Sequence, residues 1–559
     1  MLILKNLILN EYFPSELPDC FSTKNVIPHL DIIKGKANAS NIKSSFPFKF
    51  SGFKSESARR KFAVPNFYHY LKAADFVVDK QTEILNITDS TNHSLTSPRK
   101  KNSDSSYAFS KLSYRKKDTK EIVEKMYQDN AYMIKLDISS FFDSIYTHSL
   151  AWAIHTKKIA KKTRNNSLWG NELDSRLRAF NSEQTNGVLV GNAISRIAAE
   201  IILCTIDKSI EKKFNELQYV RFVDDYYIFV KNEADIQPII TFIRQQLSEY
   251  ELILNENKIS IIPSPFLFDA PWVDELKLHL HNAPDTLLNK SFALYKEYAD
   301  LSIFKYVLQV VSVRKIESTE WDCIESKIFN LWAKAPSLSE LIIYTLLQNK
   351  DVIHRSKLKN TIYTNIEKCL AFNLQQELVW MIWSLKVFNI NIKQDIAVQI
   401  LESQNDLAII ILLDCIHSGI VKKTSKITSA INSKRQELIN LDTDDDGNIG
   451  ALLWTQHWLL AYESQFHQWL DVDNEKFEIV NNNDFYKKLL SLGVSFYDTT
   501  YNMMAKEPRK FAQKYKYHSE LQELLTVIQK AVDNKQPNSL EEIRLASESV
   551  LSMLGDNIY

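Results

Sequence analysis

The apolar and polar positions of the chain follow different patterns in its two halves. In the first half, AYMIKLDISSFF (131–142) begins as a strand-like run and ends in a polar turn. The stretch from Tyr219 to Val230 predicts two strands around a pair of aspartates. Between them, apolar residues recur at helical spacing from Ser195 to Phe214, which predicts an amphipathic helix. The first half therefore mixes strands and helices.

The second half shows only the helical pattern. Leu374–Leu385, Asp406–Ile416 and Ala451–Leu470 are apolar segments of helical length. The chain has only 10 glycines, and none lies between Gly191 and Gly419, which argues against turn-rich β structure. Short helices joined by polar connectors suggest an array of helical repeats of the HEAT type, although no fixed-period motif is present.

Prolines near residues 263–284 mark a boundary between these halves. We predict an α+β class with two domains, a mixed domain over residues 1–285 and a helical domain over residues 286–559. No apolar run is long enough to cross a bilayer. The five cysteines are scattered and odd in number, which predicts reduced thiols in a cytoplasmic protein without a zinc site.

The net charge is +0, but the positive charge is unevenly distributed. Four basic clusters lie in the first third of the chain: Arg59–Lys61, Arg99–Lys101, Arg115–Lys117 and Lys157–Arg164. One cluster is usually a solvated face. Four in one region, near candidate carboxylates, favour phosphate binding.

The adjacent carboxylates of Asp224 and Asp225 lie inside the aromatic, β-branched run QYVRFVDDYYIFVKN. Aspartate is disfavoured within strands, and two buried carboxylates repel each other. A hairpin turn would explain the pair, but neither glycine nor asparagine follows to supply a positive φ. A site for a divalent cation would also explain it. On these residues alone both interpretations stay open.

Metal-assisted nucleotidyl transfer needs carboxylates from separate strands at one point, and Asp137 and Asp224 supply such a pair. In this arrangement the chain resembles the palm of reverse transcriptases. LDISSFFDSI is similar to motif A of that family, whose first aspartate, here Asp137, binds metal. RFVDDYY is similar to motif C, which gives Asp224 and Asp225. Phe142 lies where the family keeps an aromatic gate against the ribose 2′-OH, although core packing would equally explain it because Phe141 adjoins it.

Three further segments extend the resemblance. NGVLVGNAISRIAAE is similar to motif B, with Gly187, Gly191 and Ser195 at the family's positions. Lys258 fits the lysine of motif D, which donates a proton to pyrophosphate, although an ordinary exposed lysine is an equal alternative. RKFAVP (60–65) fits the basic finger segment that grips the triphosphate, here through Arg60 and Lys61.

Motif B departs from the family pattern at four positions, which hold Leu189, Val190, Ala193 and Arg196 in place of Pro-Gln and two later prolines. The missing glutamine ordinarily packs beside the templating base and the incoming nucleotide. The altered motif B, IYTHSLAW (145–152) and ARRKFAVPNFYHY (58–70) resemble the bacterial abortive-infection polymerases of the AbiK type.

That resemblance implies antiphage activity and untemplated synthesis of single-stranded DNA from deoxynucleoside triphosphates. It also implies priming by a tyrosine of the protein, a covalently attached product, a homo-oligomer and a cytoplasmic bacterial location. Asp137, Asp224 and Asp225 would bind two Mg²⁺ ions, with Mn²⁺ as a substitute, and Val190 and Gly191 would lie beside the nucleotide. Tyr12 is the first choice of primer because its N-terminal segment is expected to be mobile, although a structural role is as well supported.

Two alternatives remain. A templated RNA-directed DNA polymerase of the retron type is disfavoured by the altered motif B. A non-catalytic scaffold is disfavoured by the complete set of Asp137, Asp224 and Asp225, since a scaffold has no reason to cluster carboxylates.

Overall fold

The structure, a computed structural model, describes residues 3–98, 116–314, 316–443, 450–472 and 475–505. The basic cluster Arg99–Lys101 and the side chains of Arg115–Lys117 lie outside this description. Among the helices in these ranges, none has the length and apolar character needed to cross a bilayer.

Helices predominate in the described ranges, where six strands form two sheets. The strands are β1 Phe48–Ser55, β2 Ala58–Val64, β3 Tyr132–Leu136, β4 Gln218–Phe222, β5 Asp225–Val230 and β6 Ser260–Pro263. The helices are α1 Leu4–Glu11, α2 Leu30–Ala39, α3 Phe67–Asp79, α4 Gln81–Thr88, α5 Lys116–Lys125, α6 Phe141–Ser144, α7 Ser149–His155, α8 Lys157–Lys162, α9 Trp169–Ala179, α10 Ala193–Lys213, α11 Ile236–Glu249, α12 Pro271–Lys277, α13 Pro284–Tyr298, α14 Ser302–Val311, α15 Ser318–Lys334, α16 Ser339–Gln348, α17 Arg355–Ala371, α18 Gln375–Phe388, α19 Gln394–Leu401, α20 Asp406–His417, α21 Ser425–Asn440, α22 Trp458–Phe466 and α23 Asp484–Ser491.

The larger sheet has the strand order β4-β5-β3-β6 with antiparallel neighbours. The predicted strands at 131–142 and on both sides of the aspartate pair are confirmed. Apolar side chains from this sheet form a cluster in which Met133, Val220 and Phe229 pack with Phe266. The alternating side chains bury one face of the strands in this way, which fixes their register.

The predicted helix after Ser195 is confirmed as α10, which begins two residues earlier at Ala193 and has 21 residues. Asn192 caps it, because its Oδ1 accepts a hydrogen bond from Ser195 N at 3.0 Å. The helix is buried around most of its surface rather than along one stripe. It therefore lies in the interior and is not amphipathic as predicted.

The smaller sheet is the hairpin of β1 and β2, in which Ser51 pairs with Lys61 and Gly52 with Arg60. Helix α18 packs against β1. At the start of α18, Gln375 Oε1 accepts a hydrogen bond from Ser51 N at 2.7 Å, and Gln376 Oε1 accepts one from Phe53 N at 2.9 Å. The outer edge of the hairpin is thus satisfied by amide side chains rather than left open.

Contacts divide the described chain into two compact units. One comprises the described parts of residues 1–268 and 366–501, and the other those of residues 269–365 and 502–505. In the first unit α18 packs on α20, α20 on α22, and α19 on α21; in the second, α13 packs on α14 and α15. The described part of the second half is helical as predicted, but this packing does not establish a HEAT-type repeat, and the domain boundary at residue 285 stays a prediction.

Candidate active site

Asp137 directly follows β3, where the strand leaves the sheet. Asn255 fixes it twice: Asn255 N donates to the Asp137 carbonyl at 2.8 Å, and Asn255 Nδ2 donates to Asp137 Oδ2 at 2.9 Å. Ile138 also forms an isolated antiparallel bridge with Leu254. The backbone and carboxylate of Asp137 are therefore held from the segment that precedes β6.

Asp224 and Asp225 lie in the tight turn between β4 and β5, where Phe222 pairs with Asp225. Val223 supplies the positive φ of this turn, at 56°. The argument that a tight hairpin needs glycine or asparagine here is therefore wrong. A β-branched residue in this conformation is strained, and such strain persists only where surrounding contacts impose it.

The sheet brings the three carboxylates, here called the acidic cluster, to one edge. Leu136 pairs with Tyr226, so the end of β3 and the start of β5 are neighbours. Burial, followed by the charges of Asp224 and Asp137, raises the pKa of Asp225 to about 6. Burial and the charge of Asp137 raise the pKa of Asp224, whereas Arg60 and Lys258 oppose that rise. The negative charge of this edge is only partly compensated.

Within the described residues, Lys258 is the cation nearest to the acidic cluster. Its Nζ lies 2.9 Å from Asp137 Oδ2, its side chain is 54% exposed, and the hydrogen bond to Asp137 raises its pKa. It lies in a short 3-10 turn, Glu256–Lys258, rather than in a strand. Lys258, Asp137 and Asp225 line a cavity of about 390 Å³. The structure thus brings together three of the four catalytic residues predicted from the motifs around one cavity, with Asp224 next to Asp225.

The acidic cluster supplies the ligands that hard divalent cations prefer. Mg²⁺ is bound through carboxylate oxygens and waters, and a cation would relieve the repulsion that raises the pKa of Asp225. Within the described residues, however, no three His, Cys, Asp or Glu side chains form a ready-made metal site. The chemistry of these carboxylate donors nevertheless fits Mg²⁺. Asp137, Asp224 and Asp225 are the residues that would hold it.

A second charged group, here called the buried ion cluster, supports the turn from behind. Arg221 is 0% exposed and lies between two carboxylates of α10: its Nη2 is 2.7 Å from Asp207 Oδ2 and 3.2 Å from Glu200 Oε2. Its Nη1 donates to the Val223 carbonyl at 2.8 Å. Thr96 Oγ1 donates to Glu200 Oε1 at 2.6 Å and accepts from Val223 N at 3.2 Å. Both the N–H and the carbonyl of the strained residue, Val223, are therefore hydrogen-bonded.

Sequence reasoning did not identify this cluster, although a signal was present. Arg221 interrupts an otherwise apolar strand, and Glu200 and Asp207 lie seven residues apart on one helix, which places them on the same face. A buried arginine needs such partners. Asn255 was missed as well, since a single asparagine carries no pattern.

Motif B lies against the N-terminal segment of the chain. A Cβ atom at Gly191, where φ is 108°, would lie 2.6 Å from Pro14 Cγ, so only glycine fits beneath that proline. Arg196, one of the departures from the family pattern, forms an ion pair with Glu11 at 3.3 Å. The Val190 carbonyl accepts a hydrogen bond from Ala63 N of β2 at 3.1 Å. Two of the four altered positions of motif B, Val190 and Arg196, therefore contact other parts of this chain.

The two adjacent phenylalanines after motif A have different environments. Phe141 is buried, with 3% exposure, whereas Phe142 is half-buried. Of the two, only Phe142 has a surface that a ligand could contact. The carbonyl of Phe142 accepts a hydrogen bond from Val188 N at 2.9 Å, which ties this segment to motif B.

The basic cluster on β2 is divided between two tasks. Arg59 forms a bidentate pair with Glu377 of α18, at 2.6 and 2.7 Å, and Glu377 is buried. Arg60 and Lys61 are exposed, and the charge of Arg60 lowers the pKa of Asp224. Of the three cations in this cluster, Arg60 and Lys61 are therefore the ones that can meet a ligand.

Tyr12 does not lie in a mobile segment, and that expectation is wrong. The residue is 1% exposed, its hydroxyl donates to the Pro65 carbonyl at 2.5 Å, and its ring packs edge-on against Phe67 and Tyr70. Burial raises the pKa of Tyr12 well above its ordinary value, so its hydroxyl resists deprotonation. In this conformation the Tyr12 hydroxyl is hydrogen-bonded within the fold, which disfavours Tyr12 as the primer; that role is tested only by labelling the protein.

A family model of known proteins matches the segment that carries this site. Residues 84–269 match the family model of reverse transcriptase (RNA-dependent DNA polymerase). This segment is therefore similar to a reverse-transcriptase domain, and it contains the acidic cluster, Lys258 and motif B. Arg60, Lys61 and Tyr12 lie before it.

One curated relative is the retron Ec83 reverse transcriptase from Escherichia coli, with 28% identity over 158 residues. The match covers 25% of this chain and 47% of the relative, so the chain spans about half the length of that protein. The relative supports a bacterial reverse-transcriptase-like family without distinguishing the abortive-infection type.

Solved structures give looser similarities. Telomerase from Candida albicans in complex with a TWJ fragment of telomeric RNA has 12% identity and a TM-score of 0.28, over 61% of this chain and 64% of that chain. Apo telomerase from Candida tropicalis has 12% identity and a TM-score of 0.31, over 67% and 74%. At these scores the likeness carries no inference about function.

Proposed function

We propose that the chain is a DNA polymerase that adds deoxynucleotides by nucleotidyl transfer without a template. It would act in bacterial abortive infection, prime from a tyrosine of its own and assemble as a homo-oligomer. The observation that carries the polymerase activity is the convergence of Asp137, Asp225 and Lys258 on one cavity beside Asp224.

Asp137 and Asp224 would hold Mg²⁺, with Asp225 assisting, and the metal when bound would supply charge stabilisation at the transferred phosphorus. Mn²⁺ is a possible substitute. Arg60 and Lys61 bind the triphosphate from the finger hairpin, and their charges attract the anion before it reaches the acidic cluster. Lys258 donates a proton to the leaving pyrophosphate. Its hydrogen bond to Asp137 keeps this ammonium group protonated at the site.

The packing at motif B supports untemplated synthesis. A templated polymerase needs space and a hydrogen-bonding side chain beside the nascent base pair. Here Pro14 packs on Gly191, Val190 can only pack, and Arg196 is paired with Glu11. Phe142 is the proposed gate against the ribose 2′-OH, and Phe142→Ala should relax the preference for deoxynucleotides over ribonucleotides.

A templated reverse transcriptase of the retron type is the second candidate, because the curated relative is a retron enzyme. One experiment separates the two. The protein receives a homopolymer template with all four deoxynucleoside triphosphates, and the product is sequenced. We expect a product whose composition follows nucleotide supply and not the template. A product complementary to the template would replace the first proposal with the second.

Priming is tested without any oligonucleotide. Incubation with a labelled deoxynucleotide should leave label on the protein after denaturation, and peptide mapping should identify the tyrosine. Because Tyr12 is buried, we expect Tyr12→Phe to retain the label. Loss of label in a folded Tyr12→Phe protein would restore Tyr12 as the primer, and absence of label from the unaltered protein would refute protein priming.

A further inference from the structure

Helices α7, α8 and α9 enclose a cavity of about 270 Å³, here called the α7–α9 cavity. Its lining includes Tyr146, Trp152, Lys161, Arg164 and Asp174, none of which lines the cavity of the acidic cluster. Lys161 and Arg164 belong to the basic run Lys157–Arg164, which the proposed polymerisation does not use. The volume is close to the lower end of ligand cavities, roughly 300 Å³, and suits a single nucleotide.

Two aromatic rings provide the apolar part of this cavity. Tyr146 and Trp152 meet at an angle of 61°, with ring centroids 5.7 Å apart, and both are half-buried. Lys157 Nζ lies 4.4 Å from the centroid of the Trp152 ring, and Lys161 Nζ lies 5.6 Å from it. Cations beside an aromatic face are the combination that single-strand binding proteins use, since bases stack on rings and phosphates contact the cations.

The charges divide into committed and available groups. Arg178 donates to Glu183 at 2.6 Å and is therefore engaged within the protein. Lys161 and Arg164 are exposed. Asp174, 4% exposed, contacts His148 Nδ1 through Oδ2 at 2.6 Å.

The other oxygen of Asp174, Oδ1, forms an ion pair with Arg178 Nε at 3.4 Å. Within the described residues it accepts no hydrogen bond. A buried carboxylate oxygen in this condition is expected to gain a donor from a ligand. The exocyclic amino group of adenine or cytosine is such a donor.

We propose that the α7–α9 cavity binds one nucleotide unit of single-stranded DNA. Trp152 stacks on the base, Asp174 accepts from its amino group, and Lys161 and Arg164 contact the adjoining phosphates. A small anion would contact the cations but not the aromatic rings. A duplex would keep its bases stacked inside the helix, away from those rings. The choice of DNA over RNA rests on the proposed function. The match between the cavity and a nucleotide rests instead on the side chains that line it.

The test measures binding and requires no polymerisation. All variants carry Asp224→Asn, which is expected to block synthesis, and the probe is a labelled oligodeoxyadenylate of about ten nucleotides, within the usual site size. Lys161→Gln with Arg164→Gln removes two cations from the cavity. Lys158→Gln with Lys162→Gln removes two exposed cations of the same basic run that do not line it. The two double variants are matched in charge.

We expect the cavity variant to bind about tenfold more weakly and to lower the slope of log K against log salt by about 1.4, or 0.7 for each lost phosphate contact. The matched variant should bind as the parent does. Trp152→Ala should weaken binding about tenfold through lost stacking, and Trp152→Phe, which keeps a ring, should retain most of it. The labelled duplex of the same length should bind more weakly than the strand.

Equal weakening by the two double variants would show diffuse attraction and overturn the proposal. Unchanged binding by Trp152→Ala, or equal affinity for the duplex, would do the same. Deoxyadenosine monophosphate forms the last arm: if it binds as tightly as the strand and depends on Trp152 equally, the ligand is a free nucleotide and the strand proposal fails. Because Asp224→Asn is present throughout, failure here is distinct from failure of the polymerase proposal.

Discussion

Two groups of three charged side chains adjoin one strained turn, and they differ in how their charge is compensated. In the buried ion cluster, Arg221 contacts both Glu200 and Asp207, and all three are nearly inaccessible. Burial alone would raise the pKa of Glu200, but Arg221 and the hydroxyls of Thr96 and Ser94 outweigh it and lower that pKa. In the acidic cluster, burial and then the charges of Asp224 and Asp137 raise the pKa of Asp225 to about 6, and Lys258 only partly opposes that rise.

The difference separates a structural use of charge from a functional one. A buried charge is tolerated when its partners and hydrogen bonds are complete, as around Arg221. A cluster of carboxylates with uncompensated negative charge destabilises the fold. Such clusters are retained where a bound cation or ligand neutralises the charge. Arg221 and Thr96 hydrogen-bond the carbonyl and the N–H of Val223. The compensated buried ion cluster thereby fixes the turn that carries Asp224 and Asp225.

The largest effect is expected from Asp224→Asn in the acidic cluster. It removes a metal ligand with almost no change in volume, so incorporation of labelled deoxynucleotide in Mg²⁺ should fall at least about a thousandfold, or about 4 kcal/mol in the barrier. Urea unfolding should show no loss of stability, because one repelling charge is removed. Asp129→Asn, an exposed aspartate before β3, is the matched control. Near-normal incorporation by Asp224→Asn would refute the assignment.

Arg221→Met tests the other side of the comparison. It leaves Glu200 and Asp207 buried without their cation, so the free energy of unfolding should fall by about 3–5 kcal/mol. Urea or thermal denaturation measures this change. Adding Glu200→Gln and Asp207→Asn to Arg221→Met should recover part of the loss, because the stranded charges are gone. A loss below about 1 kcal/mol for Arg221→Met would mean that the cluster is not structurally important.

Thr96→Val separates support of the turn from stability of the buried ion cluster. It removes one hydrogen bond to Glu200 and the acceptor for Val223 N, and should cost about 1.5–3 kcal/mol. Ser94→Ala is the control, since Ser94 also donates to Glu200, at 2.9 Å. Both variants should lose similar stability, but only Thr96→Val should lower kcat. Equal kcat values would show that the contact to Val223 N is dispensable.

The smallest effect is expected from Mg²⁺ itself. If the cation completes the acidic cluster, a concentration ten times the dissociation constant should stabilise the fold by about 1.4 kcal/mol and raise Tm accordingly. Calorimetry without nucleotide measures the shift, and Asp224→Asn should abolish most of it. An equal shift in that variant would place Mg²⁺ elsewhere on the protein.

Much of the active site could be predicted because its signals are local. The positions of Asp137 and the aspartate pair follow from short strand patterns, and both stretches form strands in the structure. Val223 was misjudged, since sequence rules assign positive φ to glycine or asparagine, whereas contacts from Arg221 and Thr96 impose it here. Tyr12 was misplaced because closeness to a terminus does not determine burial.

The sequence by itself determined the strands that carry the carboxylates and the helical character of the described part of the second half, because these depend on periodicity and on residues close in the chain. Only the tertiary structure decided which charges are compensated. The pairing of Arg221 with Glu200 and Asp207, of Arg59 with Glu377 and of Arg196 with Glu11 joins residues 14 to 318 positions apart. Such pairs form by packing and leave no periodic trace, so the same arginine residues look alike in sequence and differ completely in what they can bind.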